Sequence, residues 1–557
     1  MDDSVSQDLA AAAHPLLTAE QRQRLSAYGQ ETAVAEGDLV FASGDAAPDL
    51  VLVHEGSVDL VQVATIDAPE EVLWRYVPGE FVGELNLLTG QRIYLSARVA
   101  EAGRVTLIPP AVFRRIMADE PDLSDLMLRA FVARRRKLQN NAGARAIEII
   151  GTEFSAPSLA LRTFAARQQL AHTWIDSDSV EGRSLLRVAE IEVGDLPAVI
   201  LPDAVLKRAT PGRLAEHVGL TAPRSGGETV DLAVIGAGPA GLAAAMYGAS
   251  EGLDTVLLEA VGTGGQAAAS SRIENYLGFP SGLSGSELTS RAMVQAEKFG
   301  ARLYSPCTAA SLHPDGGHLD ITLDDGTIVH ARAVIIASGA RYRSLPLPEW
   351  SRFEGAGIYY AATELEARSC ATSPVVVIGG ANSSGQAALF LASKGAQVTI
   401  AVRRDGLEAT MSAYLVDRLK AHRNVTIRTA TEVTALHGDE SLSQVTLTDH
   451  ATGESAEQAC RGLFCFIGAD PATAWLDGSV VTDHDGFLLS DTALGAGDAL
   501  PEAYRLLGRD PLPFETSVPA VFAAGDVRRG SMKRVAAAVG EGASAVRSVH
   551  VAIGTRA

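Results

Sequence analysis

Three glycines in the C-terminal half of the chain stand where an apolar strand passes into a helix. The strand-like run Asp231–Ile235 is followed by an alanine-rich helix, and the turn between them reads Gly236-Ala237-Gly238-Pro239-Ala240-Gly241. A second strand-like run ends in an acid, Glu259, which is placed to accept hydrogen bonds from a ribose. Glycine permits the tight turn and the close approach of a pyrophosphate to the amides of the helix N-terminus. This spacing predicts a dinucleotide-binding fold.

A second strand–turn–helix pattern lies downstream, nested inside the first. The strand-like run Pro374–Ile378 leads into a turn that contains Gly379, Gly380, Asn382, Ser383 and Ser384. The next strand is followed by Val402, Arg403 and Arg404, with no acid. Two cations at this place suit a 2′-phosphate, so the pattern favours NADPH over NADH. Two dinucleotide folds in one chain imply two dinucleotides, one prosthetic and one exchanging.

Residues 228–557 resemble thioredoxin reductases of the low-molecular-weight bacterial type. The motifs that carry the resemblance are Gly236–Gly241, Gly264-Gly265-Gln266, Glu274-Asn275-Tyr276, Ala337-Ser338-Gly339, Gly379–Ser384, Arg403-Arg404 and Gly525-Asp526. The resemblance implies FAD and NADPH as cofactors and a homodimer. It also implies that Glu259 binds the adenosine ribose of FAD and that Asp526 holds the ribityl chain. The remaining FAD contacts that it implies are Gly265, Gln266, Asn275, Gly339, Gly525 and a helix start at Val535 and Ala536 that faces the flavin.

This chain departs from that family at the redox disulfide. Ala361 and Glu364 stand where the family has its two cysteines, so the catalytic residues stay unknown. The four cysteines of the chain, at 307, 370, 460 and 465, form no CxxC and match no zinc spacing, and we expect no metal. Glu408 replaces a third arginine of the NADPH site, and Val402 replaces a histidine.

The resemblance and the departure together predict an FAD-dependent NAD(P)H oxidoreductase that passes electrons to an external acceptor. Thiol exchange needs an attacking thiolate and a leaving sulfur, which positions 361 and 364 do not supply. The candidate acceptors are a ferredoxin-like protein, a quinone, oxygen or a partner's disulfide, and ferredoxin reductases of this fold also lack the cysteine pair. The alternatives are a flavin or nucleotide redox sensor with little turnover, and a thioredoxin-disulfide reductase, which fold similarity alone would suggest.

The first 140 residues contain short strand-like runs and a helical tail over 110–139, which predict a small β-barrel closed by helices. The runs are Asp38–Phe41, Leu50–Val53, Val58–Val61 and Val72–Trp74. The segment Pro78–Leu88 resembles the phosphate-binding cassette of cyclic nucleotide-binding domains, with a turn formed by Gly83, Glu84 and Leu85. The arginine that binds the cyclic phosphate in that family is absent: Ile93 and Tyr94 occupy its place, and Arg92 is out of register. A nucleotide-like ligand and a docking or sensing module without ligand both remain open.

Residues 146–220 alternate strands and helices in an order that resembles thioredoxin or glutaredoxin. The loop 151–158, where that family carries its redox cysteines, contains none, so we favour a structural spacer. A polar linker follows at 221–228.

The composition excludes several functions. A net charge of −20 argues against a nucleic-acid partner, and no apolar stretch or basic leader indicates a membrane or secretion, so we expect a cytoplasmic protein. The basic run Arg134–Lys137 closes an apparent helix, and we expect it to be solvated.

The predicted fold class is multidomain: an N-terminal β-barrel with helices, a middle α/β thioredoxin-like domain and a C-terminal pair of nested Rossmann-like domains. The predicted boundaries are 1–140, 146–220, the linker 221–228, 229–345 with 465–557 for FAD, and 346–464 for NAD(P)H.

Overall fold

The computed structural model describes residues 12–45, 48–64, 69–84, 86–140, 147–153, 155–221, 229–270, 273, 276–354, 356–360, 362, 364–370 and 372–554. Leu85, Asn275 and Ala361 lie outside the described residues, as does most of the linker. Among the helices described, none has both the length and the apolar character required to cross a membrane.

The N-terminal region is a six-stranded antiparallel sheet with helices against it. Its strands are β1 (Gln30–Val34), β2 (Leu39–Phe41), β3 (Leu50–Gln62), β4 (Glu71–Tyr76), β5 (Phe81–Val82) and β6 (Ser96–Ile108). Its helices are α1 (Ala19–Ser26), α2 (Asn86–Thr89), α3 (Pro110–Asp119) and α4 (Pro121–Asn140). The sheet order is β1-β6-β3-β4, with β2 beside β6 and β5 beside β3.

Two predicted elements of this region need correction. The separately predicted strands at 50–53 and 58–61 are one strand, β3, whose register shifts around Gly56, where the backbone has φ +79°. The helical tail is two helices, because Glu120 precedes a proline and adopts φ −122°, ψ 79° rather than helical angles.

The prediction that the basic run is solvated is wrong for its first two arginines. Arg134 is 3% exposed, and its guanidinium donates hydrogen bonds to the carbonyl oxygens of Ala13, Phe81 and Gly83 at 2.7, 3.0 and 2.8 Å. The side chain of Arg135 is 12% exposed. The reason is that α4 continues past these residues and packs this face against the sheet.

The middle region is a four-stranded sheet with three helices. Its strands are β7 (Ile147–Gly151), β8 (His172–Asp176), β9 (Ala198–Leu201) and β10 (Ala204–Leu206), and its helices are α5 (Ala156–Arg167), α6 (Val180–Val188) and α7 (Pro211–Val218). The sheet order is β10-β9-β7-β8, with β7 and β8 parallel and the other pairs antiparallel. The order of elements follows the predicted alternation except for β10, an additional strand that pairs with β9 before α7. The likeness to thioredoxin stays a prediction.

The C-terminal half begins with a mixed sheet. Its strands up to residue 336 are β11 (Val230–Ile235), β12 (Thr255–Leu258), β13 (Arg302–Tyr304), β14 (Ala309–Asp315), β15 (His318–Leu323) and β16 (Ile328–Ile336), and its helices are α8 (Pro239–Ser250) and α9 (Gly285–Lys298). The sheet order is β13-β12-β11-β16-β15-β14. Because β11 runs parallel to β12 and β16, the carboxyl ends of these three strands meet at one edge.

A second α/β unit is inserted after β16. Its strands are β17 (Ala340–Tyr342), β18 (Ile358–Tyr359), β19 (Pro374–Ile378), β20 (Gln397–Ala401), β21 (Val425–Arg428), β22 (Thr431–Gly438), β23 (Leu442–Asp449), β24 (Ser455–Ala459), β25 (Gly462–Cys465) and β26 (Ala469–Pro471). Its helices are α10 (Trp350–Phe353), α11 (Glu364–Ser369), α12 (Asn382–Ser393) and α13 (Ala413–Ala421). A five-stranded parallel sheet, β18-β25-β19-β20-β21, is flanked by the antiparallel sheet β22-β23-β24.

The chain then returns to the first mixed sheet. It adds α14 (Glu502–Leu507), β27 (Val521–Ala523) and α15 (Val535–Ile553), and β27 pairs in parallel with β16. Helix α15 crosses α8 so closely that a Cβ on Gly542 would collide with the carbonyl oxygen of Ala240. The predicted nesting of one dinucleotide fold inside another is confirmed.

Candidate functional site

The first predicted dinucleotide site lies at the edge where β11 and β12 end together. The carboxylate of Glu259 is buried there. One of its oxygens accepts a hydrogen bond from the amide of Ala237 at 2.7 Å, and the other accepts from the amides of Val261 and Gly262 at 2.9 and 3.2 Å. The acid and the first glycine turn, distant in sequence, are therefore neighbours, as the dinucleotide pattern predicts.

Each glycine of the turn has a different steric role. Gly236 has φ +102°, and a Cβ on Gly241 would collide with the carbonyl oxygen of Gly236. A Cβ added to Gly238 would meet no atom within 4 Å, so there is open space at the start of α8. Because the N-cap of α8 is a glycine, the first amides of this helix have no side-chain cap. Amides presented in this way bind anions such as a pyrophosphate.

A second glycine pair passes over that turn. Gly264 and Gly265 both have positive φ, +98° and +52°, and the amide of Gly264 donates to the carbonyl of Ala237 at 2.8 Å. Gln266 donates from Nε2 to the carbonyl oxygen of Ala340 at 2.7 Å, which ties the loop to β17. The loop and the turn thus enclose the two sides of one groove.

The ends of β16 and β27 form the other part of the groove. Gly339 follows β16 with φ +69°, and a Cβ there would face open space. Asp526 follows β27 and is half-buried, and desolvation raises the pKa of its carboxyl, with Lys533 acting in the opposite direction. The first residues of α15, Val535 and Ala536, begin the helix without a side-chain cap.

These features fit a bound FAD. The open cradle at Gly238 accommodates a pyrophosphate, and Glu259 is buried beside it. The desolvated Asp526 gains most from hydroxyl donors such as those of a ribityl chain. FAD, when bound, supplies the chemistry of accepting a hydride and releasing electrons one or two at a time.

The second predicted dinucleotide site has the same form. Gly379 follows β19 with φ +130°, and α12 begins after Ala381 without a side-chain cap. Asn382 accepts a hydrogen bond from the amide of Ser412 at 2.7 Å, and Ser384 is buried and donates to the carbonyl of Ala381 at 2.6 Å. Two further predicted residues line this turn at its surface, Gly380 and Ser383.

The two arginines that follow β20, Arg403 and Arg404, lie at the surface. The side chain of Arg403 is 78% exposed, with Glu432 at 3.7 Å, and Arg404 is also exposed. Glu408, which stands in place of the family's third arginine, is paired with Lys420 at 2.9 Å, and this partner lowers the pKa of its carboxyl. Glu408 is therefore ion-paired with Lys420 at the protein surface.

The four cysteines lie in the interior of the protein. All four are buried, and none forms a disulfide. Burial raises the pKa of Cys370, Cys460 and Cys465 to about 12, so their thiolate populations are negligible at neutral pH. Cys460 and Cys465 donate to the carbonyls of Gly462 and Arg343 at 3.2 and 3.3 Å, as core thiols do. Of the two replaced redox positions, Ala361 lies outside the described residues and Glu364 begins α11.

The cassette-like segment of the N-terminal region lines a cavity of about 80 Å³. Glu84, Arg92, Ile93 and Tyr94 all line its wall. The middle region contributes Leu170, Ala171 and Val218 to the same wall. The cavity is therefore closed by the neighbouring region as well as by the cassette.

Arg135 is a cation of this cavity that the sequence reasoning missed. Its Nε lies 3.9 Å from Oε2 of Glu84, and its guanidinium donates to the carbonyl of Gln169 at 3.4 Å. It also faces Glu297 on α9, a fully buried carboxyl whose pKa desolvation raises to about 8 while Arg135 opposes the rise. Arg135 thus lies against the cassette and the middle region, and its charge acts on Glu297 of α9. The only sequence signal for Arg135 is its position in the basic run Arg134–Lys137.

Arg167, at the end of α5, is a second missed residue. Its carbonyl accepts a hydrogen bond from the hydroxyl of Thr263 at 2.7 Å, and its side chain packs on Gly262, beside Glu259. Burial raises the pKa of Tyr342 to about 12, the charge of Arg167 opposes this rise, and the charge of Asp526 adds to it. The middle region thus places a cation at the predicted FAD groove, and no local motif indicates it.

Two nested dinucleotide folds with this groove define a pyridine nucleotide-dependent flavoprotein. A family model described as pyridine nucleotide-disulphide oxidoreductase matches residues 230–542, and a model of the cyclic nucleotide-binding domain matches residues 31–120. The chain belongs to the pyridine nucleotide-disulphide oxidoreductase family and is thioredoxin reductase-like. This family uses FAD and NADPH, which confirms the cofactors predicted from the sequence.

Known relatives cover more than half of the chain. The chain is 34% identical over 316 residues to the thioredoxin reductase of Streptomyces clavuligerus, covering 57% of this chain and 91% of the relative. It is 30% identical over 325 residues to a 34.2 kDa protein in the rubredoxin operon of Clostridium pasteurianum, covering 58% and 97%. Among solved structures, the thioredoxin reductase of T. acidophilum matches with a TM-score of 0.51 at 30% identity, covering 58% of this chain and 99% of that one.

Proposed function

We propose that this protein oxidises NADPH and passes the electrons from its bound FAD directly to an external acceptor, without an internal disulfide. The observation that carries the proposal is the state of the thiols. All four cysteines are buried, and three have pKa values raised to about 12. The positions of the family's redox pair hold Ala361 and Glu364. A disulfide relay needs an exposed thiolate near the flavin, and none of the four cysteines, all within the described residues, supplies one.

The residues of the two grooves have separate tasks in this proposal. Glu259, Gly238 and Asp526 hold the FAD along its length, and Gly265, Gln266 and Gly339 line its redox end. Arg403 and Arg404 select NADPH by charge-assisted contacts to the 2′-phosphate, while Gly380 and Ser383 admit its pyrophosphate. The amides of Val535 and Ala536 at the start of α15 stabilise negative charge on the reduced cofactor.

For the acceptor we favour a one-electron iron protein of the ferredoxin or rubredoxin kind over a quinone or a partner disulfide. A relative encoded in a rubredoxin operon supports this class. The missing cysteine pair supports it too, because an acceptor of single electrons needs access to the flavin and no thiol.

The test is rapid mixing of the FAD-loaded protein with NADPH, followed by a second mixing with ferredoxin, rubredoxin, a soluble quinone or oxidised thioredoxin. We expect fast bleaching of the flavin and catalytic reoxidation by an iron protein. Reoxidation by none of these acceptors, in steady state as well as in single turnover, would remove the enzyme proposal.

The second candidate is a redox sensor with little turnover, and one contact favours it. Arg135 lies 3.9 Å from Glu84 on the cassette wall, and its charge lowers the pKa of the buried Glu297 on α9, so a change in one unit can reach the other by electrostatics. A sensor predicts that reduction by NADPH changes the protection of α4 and α9 in hydrogen exchange while no acceptor supports turnover. Steady turnover with an acceptor and unchanged exchange would favour the enzyme.

A further inference from the structure

The exposed face of the antiparallel strands β14, β15 and β16 carries a row of histidine and aspartate side chains. His313, Asp320 and His330 are directly opposite one another in the register of the three strands. Opposed residues in antiparallel strands share a face of the sheet, and His318 shares it too, because it stands two residues before Asp320. The neighbouring residues of β15, Leu319 and Ile321, point to the core.

Three of these side chains converge on one point. Nε2 of His318 lies 3.0 Å and Nδ1 of His330 lies 2.6 Å from the same atom, Oδ1 of Asp320. One ligand atom from each residue lies within 4.8 Å of the other two. The two rings meet edge to face, with centroids 5.1 Å apart and an interplanar angle of 84°. The side chains are 31%, 29% and 20% exposed, so the cluster is open to solvent on one side.

We propose that His318, Asp320 and His330 bind a divalent transition-metal ion of the zinc class. Zinc takes imidazole nitrogen and carboxylate oxygen at about 2.0–2.2 Å, which places tetrahedral ligand atoms about 3.4 Å apart. The observed separations reach that geometry by small rotations of the side chains. Two imidazoles with one carboxylate suit zinc, cobalt or nickel rather than calcium or magnesium, which prefer oxygen ligands. Solvent on the open side supplies the fourth ligand.

The ion would join β15 to β16 and fasten the hairpin between them. His330 stands six residues before the end of β16, so at about 3.3 Å per residue the cluster lies roughly 20 Å from the flavin edge of the sheet. The site therefore strengthens the sheet and takes no part in electron transfer. Cysteine spacing predicts no metal in this chain, whereas here the register of the strands brings histidine and aspartate ligands together.

The experiment uses the full-length, FAD-loaded protein after treatment with a chelator. It is titrated with Zn²⁺ in a calorimeter and with Co²⁺ in a spectrophotometer, where the cobalt bands are read in the red, beyond the flavin absorption. We expect one ion per chain, with the intense bands of tetrahedral cobalt. His318→Ala and His330→Ala should each weaken binding by more than about tenfold, since even outer-shell losses cost 10–100-fold.

The matched control is His450→Ala. His450 lies 2.9 Å from Glu432 in a comparably exposed pair but has no second imidazole, and its removal should leave the stoichiometry and affinity unchanged. Bound FAD, measured for each variant, shows that the fold persists. Equal affinity in wild type and both cluster variants, or no saturable binding in wild type, overturns the proposal. If a variant fails to fold, the wild-type cobalt spectrum decides, because weak octahedral bands also overturn it.

Discussion

Glu297→Gln should remove a large pH dependence from the stability of the unit that contains α9 and the first mixed sheet. Burial raises the pKa of Glu297 from 4.5 to about 8, so the folded state holds a proton that the unfolded state releases. At about 1.4 kcal/mol per pH unit, the rise in pKa lowers the free energy of unfolding by about 5 kcal/mol once Glu297 is ionised in both states. About 3 kcal/mol of this is already lost by pH 7. Since the folded pKa is raised, this stability is fully present below pH 4.5 and is lost as the pH rises through 8. Glutamine mimics the protonated carboxyl and does not titrate.

The assay is urea unfolding of the full chain between pH 4.5 and 8.5, followed by the fluorescence of released FAD. We expect the wild type and Glu297→Gln to coincide near pH 4.5 and the variant to be increasingly more stable at higher pH. Arg135→Gln should extend the loss of stability to higher pH, because Arg135 lowers the pKa of Glu297 and its removal raises that pKa further. Glu287→Gln, on the exposed face of the same helix with Arg291 as a partner, is the matched control and should show no such trend. A pH-independent difference between wild type and Glu297→Gln would refute this reasoning.

Three further predictions concern the grooves. Asp526→Ala should weaken FAD binding by roughly ten- to hundredfold, since each charge-assisted hydrogen bond is worth about 1.5–3 kcal/mol, and titration of the apoprotein with FAD measures it. Equal affinity would show that Asp526 does not contact FAD. Arg403→Ala with Arg404→Ala should abolish the preference for NADPH over NADH in stopped-flow reduction, and a preference kept by the double variant would assign it elsewhere. Gly241→Ala should yield protein without FAD, because the new Cβ collides with the carbonyl oxygen of Gly236. The control Gly540→Ala in α15 should retain FAD, because its Cβ meets no atom within 4 Å. A yellow Gly241→Ala protein would contradict the assigned turn.

The parts of the site that can be predicted from the sequence are those fixed by local geometry. A strand, a glycine turn and a helix N-terminus follow one another in the chain, so the spacing of Gly236, Gly238 and Gly241 is enough to locate their turn. The place of Glu259 follows as well, because parallel neighbouring strands end at the same edge. The contacts of Asn275, Leu85 and Ala361 stay predictions, since these residues lie outside the described part of the chain.

The residues that the sequence does not predict depend on how separate units pack. The basic run indicates a solvated cation at Arg135, yet its surroundings are Glu84, Gln169 and Glu297, which come from three different regions. Arg167 reaches the FAD groove only because α5 ends against the loop that carries Thr263. Neither spacing nor periodicity encodes such contacts, since the partners lie far apart in sequence. The His318–His330 cluster lies within one hairpin, and it depends on the register of β15 against β16.

The most direct test of electron transfer without a disulfide is a variant in which Cys307, Cys370, Cys460 and Cys465 are all replaced by alanine. Its NADPH oxidation with ferredoxin, rubredoxin and thioredoxin is compared with that of the wild type, at equal FAD content. We predict that reduction of an iron-protein acceptor is unchanged in the variant and that neither protein reduces thioredoxin. Thioredoxin reduction by the wild type at a rate typical of enzymes, on the order of 10 s⁻¹, that disappears in the cysteine-free variant would contradict the account.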